Sequence, residues 1–246
     1  LILFKLILRI IKNLLKLKFD YVSNYNLFLE LNIYFRALIQ KKFIDIVDYN
    51  KEKYIYYPLH VNPEASTMVE EPYMTNQLDV LEAISKSIPS DYSLYVKEHI
   101  PQLGQRTNYF YKQIKSLPNV KLINPYLNPK KILLNASVVI TINGTVALES
   151  IILNKPCIIL SKADYTSIGE GFIYVDNIKN LPLSIKEAMN LKKTNIQSIL
   201  YYLCSVIHNS IKFDSGFLWG SYQKYNKEKK NEGLNIFYNF LKSKTF

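Results

Sequence analysis

Residues 138–160, VVITINGTVALESIILNKPCIIL, constrain the fold more than any other stretch of this 246-residue chain. Val138 to Ile142 form a short, apolar, largely β-branched run of the kind that makes a buried strand. Asn143, Gly144 and Thr145 break it. Gly144 permits a tight turn, and Thr145 carries a hydroxyl able to cap a following helix. Val146, Leu148, Ile151 and Ile152 mark a helical face, Asn154-Lys155-Pro156 ends it, and residues 157–160 begin another buried strand. Strand, helix and strand make a βαβ unit, and such crossovers belong to parallel sheets covered by helices. In open sheets of that kind ligands gather at the turns after the strands, where helix N-termini favour an anion.

The rest of the chain extends this pattern. Strands are expected at 54–58, 92–97, 119–123 and 172–175, with helices at 77–87, 108–116 and 129–134 between them. The alternation predicts an α/β fold with a parallel, doubly covered sheet. On this reading an α/β domain spans 51–183. Residues 1–50 form a helical N-terminal segment, with one helix over 27–42. Residues 184–246 form C-terminal helices, over 184–211 and 221–243, that pack on the domain. Within residues 1–18, Lys5, Arg9, Lys12 and Lys16 recur at helical spacing as a basic stripe. Two readings stay open for that helix: it lies on an anionic membrane surface, or it packs on the domain with its stripe in solvent.

Composition narrows the partners. The net charge of +11 points to an anionic partner: a nucleotide, an acidic glycan, a membrane surface or nucleic acid. Arg9, Arg36 and Arg106 are the only arginines, and proteins that read nucleic-acid sequence favour Arg at base edges, so nucleic acid ranks low. Cys157 and Cys204 show no metal-ligand spacing and read as reduced thiols, Cys157 in the core. His60, His99 and His208 form no metal pattern, and neither metal nor cofactor is expected. No run approaches the roughly 18 apolar residues that span a bilayer. A chain that begins at Leu1 reads as a fragment.

Three polar loops each follow an expected strand: His60 to Thr67, Lys97 to Arg106, and Asn143 to Glu149. In a parallel sheet all three fall on the carboxyl edge, and their convergence marks a site. Lys97, His99 and Arg106 can neutralise phosphate; Ser66, Thr67, Thr145 and the amides after Gly144 can donate to it. Glu64 and Glu149 can accept from sugar or ribose hydroxyls. Each residue also has a plainer reading. Thr145 serves equally as a helix cap, His99 as a hydrogen-bonded loop histidine, and Lys97 with Glu98 as a surface pair. Pro101 and Gly104 serve as turn formers. No nucleophile elbow, P-loop or glycine-rich dinucleotide fingerprint occurs.

Four segments, in this order, resemble the capsule polysaccharide biosynthesis family, which includes bacterial Kdo transferases. They are YPLHVNPEAST (57–67), LYVKEHIPQLGQR (94–106), LPNVKLINP (117–125) and ITINGTVALESIILNKPCIIL (140–160). The resemblance covers roughly residues 54–176. It implies the Rossmann-like, donor-binding C-terminal half of a GT-B glycosyltransferase. By the same resemblance His99 and Lys97 contact the donor phosphate, and Asn143, Gly144 and Thr145 form the turn beneath it. Glu149 sits near the nucleotide's ribose or base, and His60, Glu64, Ser66 and Thr67 line the cleft. Where the family has Lys-Glu-His-Pro, this chain has Lys97-Glu98-His99-Ile100-Pro101, which alters the loop carrying His99. The 50 residues before the match are too few for a second Rossmann-like half, where such enzymes hold the acceptor and the catalytic base; no base is assigned here.

The expectation is therefore a metal-independent transferase, or its donor domain, in capsular or surface polysaccharide assembly. Its substrates would be a CMP-activated sugar such as Kdo and a glycan or glycolipid acceptor. Its place would be the cytoplasm, peripheral on the inner face of the inner membrane. The alternative is a truncated, non-catalytic module that binds a nucleotide sugar or a glycan.

Overall fold

The computed structural model describes residues 21–63, 68, 71–191, 196–210, 234–236, 238–239 and 242. Six strands form one sheet: β1 (Tyr54–Pro58), β2 (Ser93–Lys97), β3 (Val120–Ile123), β4 (Val138–Thr141), β5 (Cys157–Ile159) and β6 (Phe172–Tyr174). Their order is β3-β2-β1-β4-β5-β6. Every pairing is parallel. The strand order runs one way from β1 to β3 and the other from β4 to β6, so the chain reverses between β1 and β4. This is the Rossmann-like arrangement, whose crevice opens at the carboxyl ends of the strands flanking that reversal.

The helices are α1 (Tyr21–Gln40), α2 (Gln77–Ser87), α3 (Asn108–Ser116), α4 (Pro129–Asn135), α5 (Val146–Ile152), α6 (Leu181–Met189) and α7 (Ile196–Asn209). The first six belong to a compact unit of residues 1–195; α7 belongs to a second unit, 196–246. Burial explains why the strands read as continuous apolar runs: β1, β2 and β4 are covered on both faces. On one face Ile55, Tyr57 and Leu59 pack with Leu81 and Ile84 of α2, Tyr111 and Ile114 of α3, and Leu181 and Ile185 of α6. On the other, Tyr54 stacks on Tyr95 at 4.0 Å and donates its hydroxyl to the Ile132 carbonyl of α4 at 2.7 Å. Each fully buried side chain of this kind contributes about 1.5–3 kcal/mol.

The expected strands and inner helices fall within a residue or two of those observed. The flanks differ. The helix expected over 27–42 runs from Tyr21 to Gln40, and it is docked on the α/β unit. The Gln40 amide group accepts from the Gly104 N–H at 2.9 Å and donates to the Arg106 carbonyl at 2.8 Å. Arg36 donates to the Gln105 carbonyl at 3.2 Å. Gly104 has φ +79°, and a Cβ there would lie 2.1 Å from the Ile33 carbonyl oxygen. Past residue 183, α6 still lies in the core, with Ser184, Ile185 and Ala188 buried. The helix expected over 184–211 is in fact two, because α6 ends at Met189 and α7 begins at Ile196. The helix read in residues 1–18, and most of that read in 221–243, lie outside the described residues. Among the described residues no helix is long and apolar enough to cross a membrane. Cys157 is fully buried and Cys204 exposed. Burial pushes the Cys157 thiol up to about 12, which makes it unreactive.

Candidate functional site

β2, β1 and β4 are neighbours in the sheet, so the loops after them leave from adjacent carboxyl ends. They enclose a cleft of about 640 Å³ whose wall includes Tyr56, His60, Lys97, His99, Asn143, Gly144, Thr145 and Glu149. The structure thus brings together seven of the residues singled out in the sequence. Glu64, Ser66 and Thr67 lie outside the described residues.

Lys97, the last residue of β2, carries the charge of the cleft. Its side chain is only 9% exposed. Among the described residues it makes no ion pair, although six others are made elsewhere. Burial lowers its pKa. A buried ammonium without a counterion is costly, and an anion in the cleft would relieve that cost. The plainer reading of Lys97 and Glu98 as a surface pair fails here. Glu98 is 2% exposed and points away into a separate network. Its Oε2 accepts from Arg106 Nε at 2.9 Å and from the Tyr111 hydroxyl at 2.7 Å, and its Oε1 accepts from the His99 amide at 2.8 Å. β-strand alternation accounts for the split, since successive side chains point to opposite faces.

That network displaces Arg106 from the phosphate role read for it in the sequence. Its guanidinium is 9% exposed, paired with Glu98, bonded to the His60 carbonyl and stacked over Phe110 at 4.6 Å. It braces the floor between the loops. Removing one partner of so buried an ion pair costs about 3–5 kcal/mol, because the other charge is left unpaired.

His60, which follows β1, is 7% exposed and bonded through its backbone and its ring Nε2. Its backbone N–H donates to Gln77 Oε1 at 2.8 Å and its carbonyl accepts from Gln77 Nε2 at 3.1 Å. Its ring Nε2 lies 3.1 Å from Thr141 Oγ1 and accepts from the Ile142 amide at 3.3 Å. Burial, Arg106 and His99 hold its pKa down at about 4, so the ring is neutral near pH 7.

The Asn143-Gly144-Thr145 turn differs in detail from its sequence reading. Gly144 does not take a positive φ. Its value lies in close approach: a Cβ there would sit 3.3 Å from both the His60 ring and Thr141 Oγ1. Thr145 makes no side-chain cap; its hydroxyl lies 3.4 Å from Glu149 Oε1, four residues on. α5 spans only seven residues, so its dipole is weak, and Lys97 is the lysine in the cleft wall. Tyr165 donates its hydroxyl to the Gly144 carbonyl at 3.1 Å, holding the turn from its far side.

Sequence reasoning missed Tyr56, Gln77 and Glu98. Tyr56 alternates with Ile55 and Tyr57 in β1, and a strand buried on both faces shows no period to tell a cleft side chain from a core one. Among the described residues no three His, Cys, Asp or Glu side chains gather in a way that would hold a metal ion.

The family described as "Capsule polysaccharide biosynthesis protein" matches residues 20–183. The match takes in α1 as well as the sheet. No curated protein matches the chain. Among solved structures, the UDP-GlcNAc 2-epimerase of Methanocaldococcus jannaschii is 23% identical, with 76% of this chain and 52% of that one covered and a TM-score of 0.46. KpsC of Thermosulfurimonas dismutans, a β-Kdo 2,7 transferase, is 17% identical over 80% of this chain and 66% of that one, with a TM-score of 0.42. MnaA of S. aureus, solved with UDP, is 14% identical over 70% and 52%, with a TM-score of 0.44. The chain spans about half the length of the first of these structures, 52%.

Proposed function

This chain belongs to the capsule polysaccharide biosynthesis family, and from that premise we propose that it is the donor-binding part of a glycosyltransferase that builds capsular or surface polysaccharide. The donor is a nucleotide-activated sugar, CMP-linked and of the Kdo type, and the acceptor a glycan or glycolipid. The work is done on the cytoplasmic side of the membrane. The single observation that carries this reading is Lys97: a buried cation, without an ion pair among the described residues, in a cleft at the switch point of a parallel sheet. A sugar transfer that releases a nucleotide develops negative charge on the leaving phosphate, and a preorganised cation beside it stabilises that charge. Lys97 and His99 face the phosphate, while Asn143 and Thr145 offer neutral donors. Glu149, exposed at the rim with Tyr56 beneath it, accepts from the ribose hydroxyls. The base that deprotonates the acceptor is assigned to no residue of this chain.

Isothermal titration calorimetry with CMP tests this. The wild-type chain should bind, and Lys97→Met should lose about 2 kcal/mol or more, the scale of a charge-assisted hydrogen bond. A folded wild-type sample that takes up neither CMP nor a CMP-sugar overturns the reading. Product formation on adding donor and acceptor separates a working transferase from a binding module.

A further inference from the structure

His60 has no part in neutralising an anion, since its ring is neutral, yet bonds from Gln77, Arg106, Thr141 and Ile142 converge on it. The direction of those bonds is fixed. The Ile142 amide is a donor, so the Nε2 it meets at 3.3 Å must present a lone pair. The imidazole proton therefore resides on Nδ1. The Gly144 amide in turn donates to Thr141 Oγ1 at 3.3 Å, which leaves the Thr141 hydroxyl hydrogen for Nε2 at 3.1 Å. The chain of donors runs Gly144 to Thr141 to His60, and the ring ends it as acceptor. From the other side Arg106 grips the His60 carbonyl while pairing with Glu98, whose Oε1 holds the His99 amide.

We infer that His60 is a positioning residue: as a fixed-tautomer acceptor it locks the 141–145 turn to the 97–99 loop, so that both walls of the cleft hold one geometry. The charged or titratable groups around it are Arg106 and His99, whose charge acts on the ring, Glu98 paired with Arg106, and Lys97 and Glu149 in the same cleft. A second proton on Nε2 would point a donor at the Ile142 amide and undo the lock.

The binding readout of this inference rests on the nucleotide reading above; the other two readouts do not. Nitrogen-15 NMR of the wild-type histidine side chains should show the His60 proton on Nδ1 and no titration between about pH 5 and 8. His60→Leu should speed hydrogen exchange of the Ile142 and Gly144 amides. His60→Gln, which carries an acceptor near the place of Nε2, should restore their protection. In calorimetry His60→Leu should weaken CMP binding about tenfold or more, the scale of a misplaced site, and His60→Gln should recover most of it. An Nε2-protonated ring, or unchanged exchange at both amides in a folded His60→Leu, overturns the inference. If His60→Leu does not fold, the tautomer and His60→Gln decide it alone: Gln exchanging faster than wild type at both amides overturns it. Failure of the wild-type chain to bind CMP overturns the nucleotide reading and leaves the exchange and tautomer results to judge His60.

Discussion

Lys97 sets a stability cost against a binding gain. Its folded pKa lies below the ordinary lysine value because burial penalises the ammonium. The folded state therefore binds that proton less tightly than the unfolded chain does. At neutral pH, where both states are charged, Lys97 destabilises the empty protein, and the cost fades as pH rises through the lowered value. Lys97→Met, similar in volume and uncharged, should melt a few degrees higher than wild type while losing CMP. Differential scanning calorimetry without ligand checks this, and a lower melting temperature would show that the ammonium has a partner in the folded chain. Binding of CMP to wild type should weaken as pH rises and Lys97 loses its proton. His60 follows the same sign of linkage at a lower pH, its ring being already neutral near pH 7. Its value of about 4 lies below the ordinary 6.5, so its contribution to stability is full above about 6.5 and is lost as pH falls toward 4.

At the scale of elements, the meeting of α1 with the loop after β2 is tightly specified. Gly104 is left-handed, and the Ile33 carbonyl occupies the space a side chain would need. Gly104→Ala should destabilise the chain by about 2 kcal/mol or more through strain and the displacement of α1. Urea unfolding measures this, and a change below about 0.5 kcal/mol would mean that the helix is not held there. This contact also marks what could be read from the sequence. The strands were legible because β4 and its neighbours are short runs of Val, Ile and Tyr bounded by Asn, Gly and Pro. The three converging loops followed from their alternation with helices. The docking of α1 did not, because Gln40 and Gly104 meet across 64 residues through amide and backbone groups that leave no hydrophobic period. Exposed Phe28, Phe35, Leu38 and Ile39 blur the periodicity of that helix further. Within the site, the positions of Lys97 and His99 were legible. The pairing of Glu98 with Arg106 was not, since sequence order alone does not say which of two neighbouring side chains turns inward.

For the whole molecule, the excess of 31 basic over 20 acidic residues attracts anions at long range, although salt screens that field beyond about 8 Å. Specific recognition then falls to the cleft. A second groove of about 610 Å³ lies between α1 and the carboxyl end of β3, lined by Ile33, Ala37, Leu103, Leu122 and Pro125 with Lys41 and Gln105 also on its wall, and is somewhat more apolar. The two cavities share Glu98 and Ile100 as a wall, so a structure of the chain with CMP discriminates between them directly. The account predicts the phosphate within about 3 Å of Lys97 Nζ, with the Asn143-Gly144-Thr145 turn beneath it. A nucleotide seated in the apolar groove, or in the cleft with its phosphate turned away from Lys97, would contradict it.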